Sequence, residues 1–351
     1  ASPIDSFNFN PTELSTRPYQ ILNTLYNLHI FLHQNSKYDK FDMNNLDIEK
    51  IKKSKFYGLI EKWINSKLQL LVHNVTKSLE TCKFNEGAKS IEDFVINSLS
   101  QTYVPFTRDD LWEDNPESLE RRGVIYTLLG LALRYGDILL HPFSPFISNY
   151  LFLMLFMRRK SILLESWPPV IEEDIDLQIE SSVGKVREII SLSNSARMKA
   201  KIKRRWPISQ VVIFLEKDEI SQVENFSNLL KIQLNTDRLE VKSIPDIQSI
   251  YERIRTLLDL GLIKVTMKLK IKRFAPFVKD RVSLLVTSFE RADQMAIFQS
   301  LLSHGSYRLN VGNDSFEIVK DDLDLTYTAA HGYSIAETES HDTVIFIATL
   351  R

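Results

Sequence analysis

Cysteine is almost absent from this sequence: Cys82 is the single one among 351 residues. One thiol cannot form an intramolecular disulfide, and it cannot supply a zinc site that is built from several cysteines. Such low cysteine usage is typical of reducing compartments. We therefore expect a cytoplasmic protein without disulfides and without a cysteine-based metal site.

Long hydrophobic runs are absent as well. The most apolar stretch, residues 150–157, is far too short to cross a bilayer, and no secretory signal pattern opens the chain. We therefore expect no membrane partner. The chain starts at ASPIDSFNFNP without a methionine, which we interpret as a processed chain or a piece of a longer one.

The short motifs that mark common enzyme sites are also missing, among them GxxxxGK with a following Ser or Thr, GxGxxG, GxSxG and HExxH. His29 and His33 stand four residues apart, so on a helix they share a face and could hold a metal ion. No third ligand is close in sequence, and packed or surface histidines are the alternative. We predict no catalytic, cofactor-binding or metal-binding residue in this chain.

Neither sign of charge dominates, because the formal net charge is −1. A surface that binds a polyanion must therefore be local. The densest positive stretch is residues 197–205, where six cations occur in nine residues without an acidic one. The cations and the tryptophan that follows them are Arg197, Lys199, Lys201, Lys203, Arg204, Arg205 and Trp206.

A helix that ends in such a basic and aromatic stretch favours contact with a polyanion backbone. The alternative is a solvated helix end whose cations face the helix dipole. We predict that the helix continues up to Trp206, which would place the cations at 197, 201, 204 and 205 on one side. Like charges so close together repel each other, so we expect an anionic partner. The candidates are phosphates and the carboxylates just upstream, at Glu165, Glu172, Glu173 and Asp174.

The hydrophobic periodicity changes along the chain. Before the basic stretch, apolar residues recur at helical spacing, which predicts four or five long amphipathic helices in an up-and-down bundle. After it, short β-type runs such as VVIFL alternate with helical segments, which predicts small α+β domains. We expect a linker over 1–16, a helical bundle with a basic junction helix over 17–206, and α+β regions over 207–260 and 261–351.

Arg108 and Trp112 lie one helical turn apart inside the bundle region. A tryptophan more often packs in a core than stacks on a ligand, so we expect Trp112 to anchor the bundle. A platform for a stacked base is the alternative.

Four segments match one family in order: RPYQILNTLYNLHIFLHQNSKYDKFD, the region from KWINSKLQLLVHN to TRDDLW, LLHPFSPFISNYLF, and NSARMKAKIKRRWP. They resemble the C-terminal, anticodon-binding part of class I aminoacyl-tRNA synthetases of the valine, isoleucine and leucine branch. The basic stretch and the tail from RFAPFVKDRVSLLV to VKDDLDLTYTAAHGYSIAE are most similar to isoleucyl-tRNA synthetases of the archaeal and eukaryotic type. In that type, the anticodon-binding helical bundle is followed by small α+β C-terminal domains.

The resemblance implies a tRNA-binding piece of a ligase. The HIGH and KMSKS motifs that bind ATP in this family are absent, and so are its nucleotide-binding and editing domains. ATP and magnesium would belong to the parent enzyme, and this chain alone should be inactive. The expected partner is tRNA, specifically isoleucine tRNA, and the protein is expected to be a monomer. Two alternatives stay open: the equivalent part of a leucyl- or valyl-tRNA synthetase, and a protein-docking scaffold without RNA binding.

In this family, the first bundle helix lies beside the anticodon loop. This carries over to the following residues: Arg17, Gln20, Asn23, Asn27 and Phe31. From charge and aromatic character alone, we add a second set of candidates: Arg108, Arg197, Lys201, Lys203, Arg204, Arg205 and Trp206. Cations would neutralise RNA phosphates, while amide and aromatic side chains would hydrogen-bond to or stack on the anticodon bases.

Overall fold

The computed structural model describes residues 11–113, 115, 118–157, 159–243, 250–274, 282–312 and 314–349. Within it the chain divides into two compact units, residues 1–185 and 186–351. The first unit is helical, and the second combines helices with small sheets. The predicted fold class, an all-α bundle followed by α+β structure, is confirmed.

The first unit is built from helices connected by short segments. They are α1 (Pro11–Tyr38), α2 (Ile48–Lys52), α3 (Leu59–Glu80), α4 (Phe84–Asp93), a π-helical segment (Phe94–Tyr103), α5 (Val104–Thr107), α6 (Ser118–Leu140), α7 (Pro145–Leu155) and the beginning of α8 (Leu177–Lys199). Short 3₁₀ turns occur at Ile162–Leu164 and Glu172–Asp174.

Helix α6 is the centre of this bundle. It is apolar on nearly all sides, and its residues from Val124 to Leu133 are buried. Among the described residues it is the one helix long and apolar enough to span a membrane, but 83% of its most apolar window is buried inside the protein. That burial is what a core helix shows, because a helix that is hydrophobic all round must be covered by its neighbours.

A buried contact between two side chains fastens α1 to α6. His29 and Asp137 are both fully buried, and His29 Nε2 lies 2.9 Å from the Oδ2 atom of Asp137. The other ring nitrogen, Nδ1, lies 2.8 Å from the carbonyl oxygen of Leu25. Both nitrogens of His29 are therefore occupied by protein atoms, which agrees with the packed-histidine alternative.

Part of the predicted linker and two prolines are found in helices. Helix α1 begins at Pro11, so residues 11–16 are helical rather than linker and Pro18 lies inside the helix. Residues 1–10 of the predicted linker lie outside the described residues. At Pro105 the π-helical segment gives way to α5, with Pro105 in the first turn of α5.

The second unit contains these elements: β1 (Val211–Leu215), α9 (Lys217–Glu224), α10 (Ser227–Leu234), β2 (Leu239–Ser243), α11 (Ile250–Asp259), β3 (Ile263–Leu269), α12 (Val282–Arg291), α13 (Gln294–Ser303), β4 (Ser306–Val311), β5 (Asp314–Val319), β6 (Leu323–Ala329), β7 (Tyr333–Glu337) and β8 (Val344–Ala348). A four-stranded sheet has the order β2-β1-β8-β7, and two-stranded ribbons join β3 to β6 and β4 to β5.

Strand β1 connects regions that the sequence assigned to different domains. It pairs in parallel with β2 and antiparallel with β8, with Ile213 opposite Ile345. The rings of Phe214 and Phe346 meet edge to face at 5.9 Å in the hydrophobic core of the unit. The predicted regions 207–260 and 261–351 are therefore parts of one unit, because β1 and β8 share one sheet. That unit also includes residues 186–206, which we had assigned to the bundle.

Candidate nucleic-acid interface

One face of α1 presents amide and aromatic side chains to solvent. Leu25, Leu28 and Leu32 pack the opposite face into the bundle, which fixes the outward direction of the helix. Three predicted candidates, Gln20, Asn23 and Asn27, are exposed, and the fourth, Phe31, is half-buried. These four recur at helical spacing, so they form one stripe. Arg17 is part of α1, but its side chain lies outside the described residues.

Two tyrosines on this side of α1 were not singled out from the sequence. Tyr19 is 69% exposed and Tyr26 is 38% exposed. Both have planar rings next to the exposed amides, a combination that suits bases that are stacked and hydrogen-bonded at once. The signal in the sequence was their position one residue before Gln20 and Asn27, off the apolar stripe.

The expectation that Trp112 anchors the bundle was wrong. Its side chain is 69% exposed, and the guanidinium carbon of Arg108 lies 5.9 Å from the ring centroid. The bundle buries Leu111, the preceding residue, instead. Since consecutive residues in a turn point in different directions, burying Leu111 leaves the indole of Trp112 in solvent beside a cation.

Trp112 borders a cleft of about 280 Å³ at the C-terminal end of α1. The cleft is lined by Asn35, Tyr38, Asp39, Leu111, Trp112, Glu113, Arg122 and Tyr126. Asn35 and Tyr38 continue the helical spacing of the α1 stripe. The stripe and Trp112 therefore belong to one surface of the first unit, which we call the α1 face: Gln20, Asn23, Asn27, Phe31, Asn35, Tyr38 and Trp112.

The floor of this cleft is held rigid by a charged network. The Asp39 carboxylate accepts hydrogen bonds from Arg122 Nε at 2.7 Å and Arg122 Nη2 at 3.2 Å. It also accepts one from the Tyr126 hydroxyl at 2.6 Å. Burial, together with the Asp39 charge, raises the pKa of Tyr126 well above its ordinary value, so the hydroxyl remains a donor. The Asp39 carboxylate is thereby held by charge-assisted hydrogen bonds from side chains of α6.

The basic stretch is not helical to its end. Helix α8 stops at Lys199, and Lys201 adopts a left-handed backbone conformation with φ 57°. The N–H of Lys201 bonds to Met198 O at 3.1 Å, and that of Ile202 bonds to Arg197 O at 2.9 Å. This pair of bonds closes the helix as a Schellman motif does. The expectation that the cations at 197, 201, 204 and 205 crowd one side of a helix was therefore wrong.

Arg197 differs from the other basic residues because it is buried. Only 3% of it is exposed, and its guanidinium donates to three backbone carbonyls, those of Lys203, Trp206 and Leu234. Burial and the nearby charge of Arg204 lower the pKa of Arg197. Because these donors are spent inside the protein, Arg197 does not belong to a phosphate-binding surface, and we correct its assignment.

The residues after α8 form an exposed basic turn, which we call the junction turn: Lys201, Lys203, Arg204, Arg205 and Trp206. The Lys203 ammonium lies 5.9 Å from the centroid of the Trp206 ring. Arg204 Nη2 donates to Gln233 Oε1 at 3.3 Å. The turn thus presents cations beside an indole, which suits both phosphate contact and stacking.

Two of the carboxylates considered as internal partners are used elsewhere. Glu165 pairs with Arg134 and Arg159. Asp174 accepts a bond from Lys52 at 2.8 Å. Both sets of partners lie in the first unit, so the described ion pairs do not match these carboxylates to the junction turn.

The chemistry of both surfaces is that of binding. Over the part of the chain that the structure describes, three or more His, Cys, Asp or Glu side chains do not come together as a metal site would require. The α1 face offers amides and rings, whereas the junction turn offers cations. Each lies in its own unit, and each has groups that single-stranded or looped RNA would contact.

Comparisons with known proteins agree with this chemistry. Residues 61–213 match the family described as the anticodon-binding domain of tRNA ligase. The isoleucine–tRNA ligase of Sulfolobus acidocaldarius is 26% identical over 316 residues, which cover 89% of this chain and 28% of that protein. The corresponding ligase of Methanocella arvoryzae is 26% identical, covering 86% of this chain and 26% of that protein.

A third relative extends over nearly the whole chain. The isoleucine–tRNA ligase of Methanosarcina mazei is 23% identical, covering 97% of this chain and 31% of that protein. The chain therefore spans less than a third of the length of these curated relatives. Residues 61–213 thus match the anticodon-binding domain of tRNA ligase, and the chain is similar over most of its length to archaeal isoleucine–tRNA ligases.

Proposed function

We propose that this chain binds tRNA at its anticodon region, as the anticodon-recognition part of an isoleucine–tRNA ligase. The observation that carries the proposal is the α1 face. On this surface, exposed amide and aromatic side chains of α1 occur together with the exposed ring of Trp112. A folded RNA displays unstacked bases in its loops, and such bases are bound by stacking and by hydrogen bonds to their edges.

Each group on the α1 face has a distinct part in this proposal. Asn23, Asn27 and Gln20 donate to and accept from base edges, because an amide carries both kinds of group. Trp112 stacks on a base, and Arg108, whose guanidinium carbon lies 5.9 Å from the ring centroid, binds a phosphate. Asn35 already donates one N–H to Phe31 O at 2.7 Å, so its carbonyl oxygen and its second N–H are the groups proposed for a ligand.

The junction turn supplies the second contact. Its four cations, Lys201, Lys203, Arg204 and Arg205, neutralise phosphates without reading sequence. Each such contact releases condensed counterions, so binding through this turn weakens as salt is added. The α1 face would then decide which tRNA is bound, and the junction turn would set how strongly the affinity depends on salt.

The remaining parts of the proposal concern the whole protein. ATP, magnesium and the catalytic and editing domains belong to other parts of the ligase, and this chain is its C-terminal portion. The similarity to isoleucine–tRNA ligases supports isoleucine tRNA over leucine or valine tRNA. We further propose a cytoplasmic monomer that does not associate with membranes.

The test is a gel-shift titration of the isolated chain with isoleucine, leucine and valine tRNAs, from about 50 to about 200 mM salt. We expect isoleucine tRNA to bind most tightly and the affinity to fall with salt. Asn27→Ala should weaken binding, whereas the matched control Asn74→Ala, an exposed asparagine on α3, should not.

Two outcomes would overturn parts of the proposal. If no tRNA binds at any salt concentration, the protein-docking alternative replaces RNA binding. If leucine or valine tRNA binds more tightly than isoleucine tRNA, the assignment to isoleucine is wrong while anticodon binding stands.

A further inference from the structure

The guanidinium of Arg197 binds the backbone of the junction turn at two points. Its Nη1 atom donates to the carbonyl oxygen of Lys203 at 3.0 Å and to that of Trp206 at 2.8 Å. These two carbonyls bracket the pair Arg204 and Arg205 in the chain. A single buried nitrogen therefore fixes the backbone on either side of two exposed cations.

The same side chain also fastens the turn to a neighbouring helix. Its Nη2 atom donates to Leu234 O at 2.7 Å, at the C-terminal end of α10. The last carbonyls of a helix lack helical partners and carry partial negative charge, so a buried cation is favourable there. Arg197 thereby connects α8, the junction turn and α10 through one group.

Other bonds also fix the turn. The N–H of Trp206 bonds to the carbonyl oxygen of Lys203 at 2.9 Å. Arg204 reaches Gln233 at 3.3 Å, and the Asn235 amide reaches Arg204 O at 3.5 Å, both on the surface. A backbone bond from Ile208 N to Asn235 O, at 2.9 Å, lies beyond the turn. Arg197 is distinguished from these attachments because its one guanidinium binds two carbonyls of the turn and one of α10.

We propose that Arg197 is a positioning residue for RNA binding: it holds the junction turn in the conformation that presents its cations and Trp206, and it does not touch RNA itself. This inference rests on the proposed function. Lysine cannot replace arginine here, because the three acceptors require the planar fork of a guanidinium. A turn held in advance in its binding conformation loses less free energy on binding than a mobile one.

The binding test compares Arg197→Lys and Arg197→Gln with Arg205→Gln, which removes an exposed cation of the same turn. A direct phosphate contact contributes about 0.7 to 0.9 to the slope of log affinity against log salt. We expect Arg205→Gln to lower that slope and the Arg197 variants to leave it unchanged. If only about a tenth of the variant molecules hold the turn in its binding conformation, the Arg197 variants bind tRNA about tenfold more weakly.

A second test needs no RNA. Trypsin cleaves after lysine and arginine, so it reports on how often the junction turn opens. We expect faster cleavage at residues 201–205 in both Arg197 variants than in the wild type. The matched control is Arg253→Gln, which removes another buried arginine of the second unit and should leave cleavage in the turn unchanged.

The outcomes separate this inference from the proposed function. Absence of tRNA binding by the wild type would defeat the proposed function, and with it the role in RNA binding, while trypsin still reports whether Arg197 holds the turn. A lowered salt slope in Arg197→Lys would make it a direct contact, and wild-type affinity in that variant would remove the positioning role. If the variants do not fold, amide hydrogen exchange of the wild type tests whether the turn is fixed. Unprotected amides at Ile202 and Trp206 would show that it is mobile and would contradict the proposal.

Discussion

Lys201 combines a positive charge with a backbone conformation that glycine adopts more easily. Its φ of 57° places it where the Cβ atom of an L-residue crowds the backbone. We expect Lys201→Gly to raise the free energy of unfolding by up to about 1 kcal/mol. The same change removes one cation, so the salt slope of tRNA binding should fall.

A gain in stability together with a loss of tRNA binding would show that the strained backbone of Lys201 is kept because its positive charge contributes to binding. Urea unfolding and a salt titration measure the two quantities. Lys203→Gly is the matched control, because its backbone is not left-handed and glycine should bring no stabilisation there. A loss of stability in Lys201→Gly would contradict the interpretation of strain.

Trp112 offers a second contrast at this scale. Because 69% of its side chain is exposed, we expect Trp112→Ala to change the free energy of unfolding by less than about 1 kcal/mol. If the ring stacks on a base, tRNA binding should weaken by about 1–3 kcal/mol. Trp63, which is 1% exposed, is the control: Trp63→Ala should cost about 3–5 kcal/mol of stability. Equal melting temperatures for the two variants would refute this contrast.

The sequence indicated the candidate residues, but it did not predict the burial and the hydrogen-bond partners of all of them. The family resemblance implied Gln20, Asn23 and Asn27, and periodicity placed them off the apolar stripe of the helix. The burial of Arg197 could not be derived in this way. It stands in a run of cations that look alike, and its partners are carbonyls, one of them in Leu234 on another helix.

At the scale of single elements, long periodic segments were the most predictable. The helices around Trp63 and Val124 and the strand Val211–Leu215 were all expected from their patterns. The end of α8 at Lys199 was not, because the residues that follow are themselves good helix formers. Hydrogen bonds to Arg197 and α10 override that local preference. Strand β7 was missed because its alternation over Tyr333–Glu337 is short.

The contact between α1 and α6 has a pH dependence. Burial outweighs the nearby His29 and raises the pKa of Asp137 above 3.8, and its Oδ1 atom has no hydrogen-bond partner in the described structure. The folded state therefore holds this proton more tightly than the unfolded state does. The contribution to stability is fully present below the unfolded pKa and is lost as pH rises through the folded pKa.

We expect the stability of wild type relative to Asp137→Asn to grow as pH falls towards about 4. Asparagine can donate to His29 without carrying a charge, which makes it a suitable comparison. Urea unfolding of both proteins across this pH range measures the difference. A difference that is constant, or that shrinks towards acid, would contradict the raised pKa of Asp137.

At the scale of the whole molecule, the missing motifs determine the expected activity. The sequence contains neither HIGH nor KMSKS, and the chain spans 28% of the Sulfolobus acidocaldarius ligase. We expect no isoleucine-dependent exchange of pyrophosphate into ATP. A full-length isoleucine–tRNA ligase is the positive control, and exchange above a mock preparation would contradict the proposal that this is a binding portion.

The division into units was the least predictable feature. We placed a boundary at 260 because a helix ends and a new strand begins there. The structure instead joins β1 and β8 across that boundary, and nothing local in VVIFL or TVIFIATL specifies the partner. Pairing over so long a separation depends on burial in a shared core, which a scan of short windows does not detect.

The pairing of β1 with β8 also means that one strand is synthesised well before its partner. Ribosomes add about 5–20 residues per second, so β1 is complete on the order of 6 to 26 seconds before β8 exists. During that interval a strand whose five residues are all buried in the finished protein has one edge without its partner. Open apolar edges recruit other chains. Nascent chains of this protein should therefore need a chaperone until Val344–Ala348 emerges.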